Sequence, residues 1–335
     1  MDRLSRFSAH LLATLLTIGG ALLVGPAWTA GAAPVIGDFS GLVDIGGRSI
    51  YLECRGQGGP TVILEAGANG RGDVWSRDNL RPAGERAMVQ PAVAAMTRVC
   101  AYDRPGTLGE VNPELEPNGP EFYPSRSDPV SQPRTTRELT DDLHALLTAA
   151  QIPGPYVLVA HSAGGLVARL FAADHPDDVV GMVLIDTTNE NVWQQFKAVM
   201  TAEQWARFEA STLDNSELLA AYPEAEMLWT APLADTASVT QVRQARRDAT
   251  LRPMPLVVLA HGIPFADPFP GWPSEATERV MRAAQDDIAG LVPDARLMIA
   301  TGSGHNIHQD QPDLVIEAVN EVVTAVRDPS TWTVR

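Results

Sequence analysis

Residues 158–165 read Leu-Val-Ala-His-Ser-Ala-Gly-Gly: an apolar run that stops at a serine, Ser162, boxed in by small side chains. A structural serine needs no such clearance. A nucleophile held on a tight strand-to-helix turn does, because bulky neighbours would block the turn and the approach to the hydroxyl. The pattern is Ala-x-Ser-x-Gly over Ala160, Ser162 and Gly164, with alanine at the first small position, where glycine is usual. A helix starting at Ala163 aims its free amides and positive dipole end at the serine. The plainer reading is a serine that merely caps that helix.

Outward from this turn, strand text and helix text alternate. The strand 156–160 is followed by a helix over 163–176 and a strand over 179–186 (VVGMVLID). Upstream, 40–56 reads as two strands joined across Gly46 and Gly47, and 60–67 (PTVILEAG) and 97–106 (TRVCAYDRPG) each hold a buried strand. A helix is offered by 84–96, weakened by Pro91, and an amphipathic helix by 135–150, opening on the Thr135 to Glu138 capping pattern. Residues 107–134, rich in Pro, Ser, Asn and Glu, read as a long surface excursion. After 252 come a strand at 255–262, a helix over 275–291, a strand at 295–300 and a last helix from Pro312 to Arg327. This order predicts an α/β fold, a mainly parallel eight-stranded sheet covered on both faces. Residues 187–252 interrupt the rhythm with aromatic-rich helical text, read as a lid inserted between a first core part, 33–186, and a second, 253–335.

The N-terminal 1–32 has Arg3 and Arg6, an apolar run from Leu11 to Val24 and an Ala30-Gly31-Ala32 cleavage pattern. That is the layout of a signal peptide cut after Ala32, so the expected location is secreted or cell-envelope, with no stable membrane span after cleavage. Of 335 residues, 45% are hydrophobic and 20% charged, which suits a soluble globular chain. A formal charge of −16 argues against a nucleic-acid partner. Cys54 and Cys100 are the only cysteines; in an oxidising compartment they invite a disulfide, and their number excludes a disulfide scaffold. No metal-ligand spacing is present, so neither metal nor cofactor is expected.

A serine hydroxyl is a poor nucleophile until a base takes its proton. His305 and His308 lie between the last strand and the last helix, in SGHNIHQDQP (303–312). His305 follows Ser303-Gly304, where the chain turns sharply, and is the preferred base; His308 reads as a rim residue. His144, His161, His175 and His261 lack that placement, and His161 is expected to face away from the serine.

The strand–turn–helix around Ser162, the late His305 and the inserted helices together resemble the α/β-hydrolase superfamily, in its secreted esterase or lipase-like branch, over most of 40–328. YDRPG at 102–106 and the GH…QP of 304–312 also look like that family. The serine departs from the aspartate nucleophile of its dehalogenase and epoxide hydrolase branches, which makes those chemistries a poor match. The resemblance implies the order Ser162, acid, His305. Two aspartates fit the acid, which fixes the histidine tautomer. Asp186 ends a strand directly; Asp267 lies in the loop HGIPFADP (261–268), where the family's acid usually sits. Asp186 is preferred for its rigid anchorage. The resemblance also implies oxyanion donors at Ala163 and Ala68, the latter from EAGANG (65–70), which has Ala66 where the family commonly has histidine. It further implies that the second and fourth strands are antiparallel neighbours, which would bring Cys54 and Cys100 into disulfide range.

The expected function is therefore a secreted serine hydrolase acting on a small-molecule ester with an apolar acyl group, without cofactor. An amidase or peptidase on the same residues, or a non-catalytic binding protein of the same fold, are the alternatives. Oligomeric state and natural substrate are not legible in the chain.

Overall fold

A computed structural model describes residues 37–332; the leader expected at 1–32 lies outside them. The chain alternates as its sequence pattern predicts. β1 (Phe39–Asp44) and β2 (Ser49–Arg55) form the hairpin, followed by β3 (Thr61–Glu65), α1 (Val89–Ala94) and β4 (Val99–Tyr102). Next come a short pair, β5 (Leu108–Glu110) and β6 (Phe122–Pro124), then α2 (Thr136–Ala149), β7 (Tyr156–His161), α3 (Gly164–Asp174) and β8 (Val179–Ile185). Four helices follow: α4 (Val192–Val199), α5 (Ala202–Leu213), α6 (Ser216–Ala221) and α7 (Ala237–Asp248). The chain closes with β9 (Leu256–His261), α8 (Ser274–Ala289), β10 (Arg296–Ala300), α9 (Ile307–Asp310) and α10 (Pro312–Arg327).

The main sheet has eight strands in the order β1-β2-β4-β3-β7-β8-β9-β10. β2 runs antiparallel to β1 and β4; the remaining pairs are parallel. Side chains alternate across it, as a period of two requires. Ile63, Leu158, Leu184 and Val258 join one core with α2 and α3. Val62, Val159, Val183 and Val257 join the other with α1 and α10. Burial on both faces explains why the central strands read as continuous apolar runs.

Two expectations change. The helix offered over 84–96 shrinks to the six residues of α1, with Pro91 in its first turn, where a missing N–H costs nothing. The excursion 107–134 is not merely a surface loop. It carries the β5–β6 hairpin, and its end is stitched to β2: Tyr51 N–H donates to Ser127 Oγ (2.8 Å) and Asp128 N–H to Ser49 O (2.9 Å). The capping box at Thr135 and Glu138 forms as read.

Cys54 and Cys100 face each other in the β2–β4 register with Cα atoms 4.0 Å apart, and they are disulfide-bonded and buried. The bond spans 46 positions, a loop whose closure removes about 3–4 kcal/mol of unfolded-state entropy at 25 °C. Alkylation of the denatured, unreduced protein should therefore find no free thiol. Replacing both cysteines by serine should lower the unfolding free energy by about that amount in urea titrations. Two titratable thiols would contradict the pairing.

Candidate active site

The parallel strands end along one edge, and that edge collects the singled-out residues. In the sheet register Glu65 pairs with Ala160, His161 with Ile185, and His261 with Ala300. The residues just past those ends therefore converge, as ligand-binding loops do at the carboxyl edge of a parallel sheet.

Ser162 sits at φ 51°, in the left-handed region. Its N–H donates to Ile185 O (3.1 Å) and its C=O accepts from Gly165 and Thr188 N–H (both 3.0 Å), so both neighbouring segments enforce the turn. A side chain is costly in that conformation and persists where the surroundings hold it. The small neighbours have steric reasons too. A Cβ on Gly164 would lie 2.4 Å from Ala66 O, and one on Gly67 would lie 3.2 Å from Ser162 Cβ and 2.9 Å from His161 Nδ1. The helix start and the loop after β3 can thus close on the serine only as glycines. Ala160, buried on the sheet, fits without its missing glycine.

Asp186 follows β8 with φ 44°, its side chain fully buried. Oδ2 accepts from His305 Nδ1 at 2.6 Å. Oδ1 accepts from His261 Nδ1 at 2.7 Å and from His261 N–H at 3.2 Å. Burial pushes this carboxyl up, but the bonds from His261 and His305 outweigh burial and hold it below the usual range. With Nδ1 committed, His305 has Nε2 left for other chemistry. Its ring is partly exposed at a cavity of about 330 Å³ that Ser162 and Ala68 also line. Asp267 is exposed instead, accepting from Ser274 Oγ at 2.6 Å, and is not joined to His305.

Two of the other histidines, His261 and His308, depart from expectation. His261, which lacked a suitable placement in the sequence, is the second partner of Asp186 and reaches Glu278 Oε2 with Nε2 (3.3 Å). Burial lowers its pKa, but Asp186 and then Glu278 win and raise it. The available signal was the Ala-His pair ending both β7 (160–161) and β9 (260–261). His161 lies beneath the site and donates from Nε2 to His305 O (3.0 Å), bracing the loop that carries His305. His308 is no rim residue: it is buried between Trp75 and His161, with ring centroids 5.0 and 4.4 Å away. The turn after Gly304 is shorter than the sequence suggests, because α9 begins at Ile307 and turns His308 inward.

The cavity walls come from both sides of the insertion. Trp193, Phe196, Phe208 and Trp229 from 187–252 face Phe265 and Trp272 from the segment after β9. The rings of Trp193, Phe196, Phe208, Trp229 and Trp272 form one cluster of edge-to-face and tilted contacts, while Phe265 packs against His261 and His305. Among the described residues, no helix is long and apolar enough to cross a membrane.

Burial pushes the His308 pKa down to about 3, with His305 adding to the effect, and it drives His161 well below its ordinary value. As pH falls below about 6.5, the unfolded chain binds protons that these folded residues refuse, so stability drops by up to about 1.4 kcal/mol per pH unit for each. Urea midpoints measured between pH 7.5 and 5.5 should fall, and in His308→Gln the slope should be shallower by up to that amount. An equal slope in the variant would contradict a neutral, buried His308.

Residues 62–318 match the Alpha/beta hydrolase family. Uncharacterized protein YqjL of Bacillus subtilis (strain 168) is 24% identical over 271 residues, covering 80% of this chain and 85% of that protein. The "Probable transporter efuK" of Hormonema carpetanum is 30% identical over 156 residues, 45% of this chain. The chain spans less than a fifth of the length of that protein and of a Schizosaccharomyces pombe relative, 19% and 15%. Among solved structures, VinJ superposes with a TM-score of 0.55 at 18% identity, covering 86% of this chain and 99% of that one. The sheet order, the strand-edge site and the match over residues 62–318 agree: the chain belongs to the α/β-hydrolase family.

Proposed function

We propose that this hydrolase is an exported serine esterase that cleaves carboxylic esters with an apolar acyl group, using Ser162 as nucleophile, His305 as base and Asp186 as its orienting acid. The observation that carries this reading is the 2.6 Å bond from His305 Nδ1 to the buried Asp186, at the same cavity that the left-handed Ser162 lines.

His305 Nε2 takes the Ser162 proton as Oγ bonds to the ester carbonyl carbon. The carbonyl oxygen becomes an oxyanion, for which Ala163 N–H, at the start of α3, and Ala68 N–H are the donors. Asp186 stays ionised and stabilises the imidazolium. The intermediate collapses by breaking the bond to the alcohol oxygen, which leaves with the proton from His305. Water, deprotonated by His305, then attacks the acyl-serine, releases the carboxylic acid and restores Ser162. The aromatic cavity walls, including Trp193, Phe208 and Trp272, favour an apolar acyl chain. They also support reading 187–252 as a lid. The signal-peptide layout of 1–32 and the Cys54–Cys100 bond support export to an oxidising compartment.

Two outcomes test this. A fluorophosphonate should label one peptide, that of Ser162, and Ser162→Ala should abolish p-nitrophenyl ester hydrolysis with unchanged circular dichroism; label elsewhere, or turnover of only the matching anilides, would refute the esterase. Asp186→Asn should lower kcat by about 10⁴-fold, as loss of the correct histidine tautomer does, while Asp267→Asn leaves it within about twofold. The reverse ranking would move the acid to Asp267.

A further inference from the structure

Arg104, the arginine of Tyr102-Asp103-Arg104-Pro105-Gly106, plays no part in the steps above, yet its side chain is only 3% exposed and lies next to the site. A guanidinium has five N–H donors, and all five are used. Nε donates to Glu226 Oε1 (2.7 Å) and Nη2 to Glu226 Oε2 (2.8 Å), a two-pronged pair. Nη2 also donates to Gly67 O (2.6 Å), and Nη1 to Ala66 O (2.9 Å) and to Glu65 Oε1. Glu226 Oε2 accepts in addition from Asn69 N–H at 2.9 Å. One cation and its carboxylate therefore fix the polar backbone atoms of residues 66, 67 and 69, on either side of Ala68.

The orientation of Ala68 N–H follows. In a trans peptide C=O and N–H point in opposite directions. Arg104 draws Gly67 C=O to the buried side, so the N–H of the same peptide unit, that of Ala68, points away from Arg104. Ala68 and Ser162 line the same cavity, and Gly67 packs against Ser162 Cβ. Resting on the esterase reading above, we propose that Arg104 and Glu226 are positioning residues that hold the Ala68 N–H in its oxyanion-binding orientation. Glu226 comes from the helical insertion, so part of that insertion is a fixed strut of the catalytic apparatus. Its neighbours are tied down accordingly: Glu226 N–H donates to Gly106 O (2.9 Å), Met227 N–H to Gln132 Oε1 (3.0 Å) and Arg134 N–H to Met227 O (3.0 Å).

The test compares an ester with its thionoester, whose sulfur is larger and a weaker hydrogen-bond acceptor and so gains less from a well-aimed donor. Wild type should prefer the oxygen ester strongly. In Glu226→Gln and Arg104→Lys, with active sites counted by fluorophosphonate and folding checked by a cooperative urea transition, kcat for the ester should fall about 10- to 100-fold, within what loss of one oxyanion donor costs. KM should stay within about twofold, the pH profile of kcat should not move, and the ester-to-thionoester ratio should collapse toward unity. Should either variant fail to fold, Glu226→Asp, which keeps the charge on a shorter arm, should show a smaller loss with a correspondingly smaller fall in the ratio. Folded variants with a wild-type ratio, whether or not kcat falls, overturn the proposal. A wild type that is not labelled at Ser162 overturns the esterase reading itself, a different result.

Discussion

The site depends on one buried carboxylate. Asp186 carries its charge into a fully covered position, which is tolerable only if both oxygens are paired. His305 takes one and His261 the other, and these residues arrive from the ends of β10 and β9. Asp186 also donates its own N–H to Leu259 O at 2.6 Å, locking its unusual backbone to the neighbouring strand. One side chain thereby sets the spacing of three successive strand ends. Ser162, one strand further along the sheet, is tied to the end of β8, just before Asp186, through its N–H to Ile185 O.

A second buried charge, Arg104, organises the other half of the site. Asp186 orients side chains, whereas Arg104 orients backbone, and the two lie on opposite sides of Ser162 in the sheet order. Arg104 offsets the expense of burial by using all five of its donors, and Asp186 by pairing both of its oxygens. The insertion serves both halves: Glu226 completes the Arg104 cluster, and Trp193, Phe196 and Phe208 supply walls for the cavity. Glu190 joins it to the core as well, accepting from Arg169 at 2.6 Å and Arg246 at 2.8 Å.

What the sequence made legible was whatever obeys a local rule. Strand periodicity gave the sheet, small residues around Ser162 gave the turn, and the strand-end position of Asp186 favoured it over Asp267. In the structure Asp186 is bonded to His305 Nδ1, whereas Asp267 accepts from Ser274 Oγ. Resemblance to the family's strand order foretold that Cys54 meets Cys100. The misses are residues whose roles depend on distant partners. Glu226 stands in text with no period connecting it to Arg104, 122 positions away. His261 looks like any strand-end residue until β8 and β9 are paired. His308 looked peripheral because the direction of α9 is set by packing on Trp75, which no spacing encodes.

The most direct measurement is a crystal structure of the protein inhibited by a fluorophosphonate. The account predicts phosphorus bonded to Ser162 Oγ, with the phosphoryl oxygen within hydrogen-bond distance, about 3 Å, of both Ala68 N and Ala163 N, and the alkyl group among Trp193, Phe208 and Trp272. A phosphoryl oxygen turned away from those two amides, or an adduct on another residue, would contradict it.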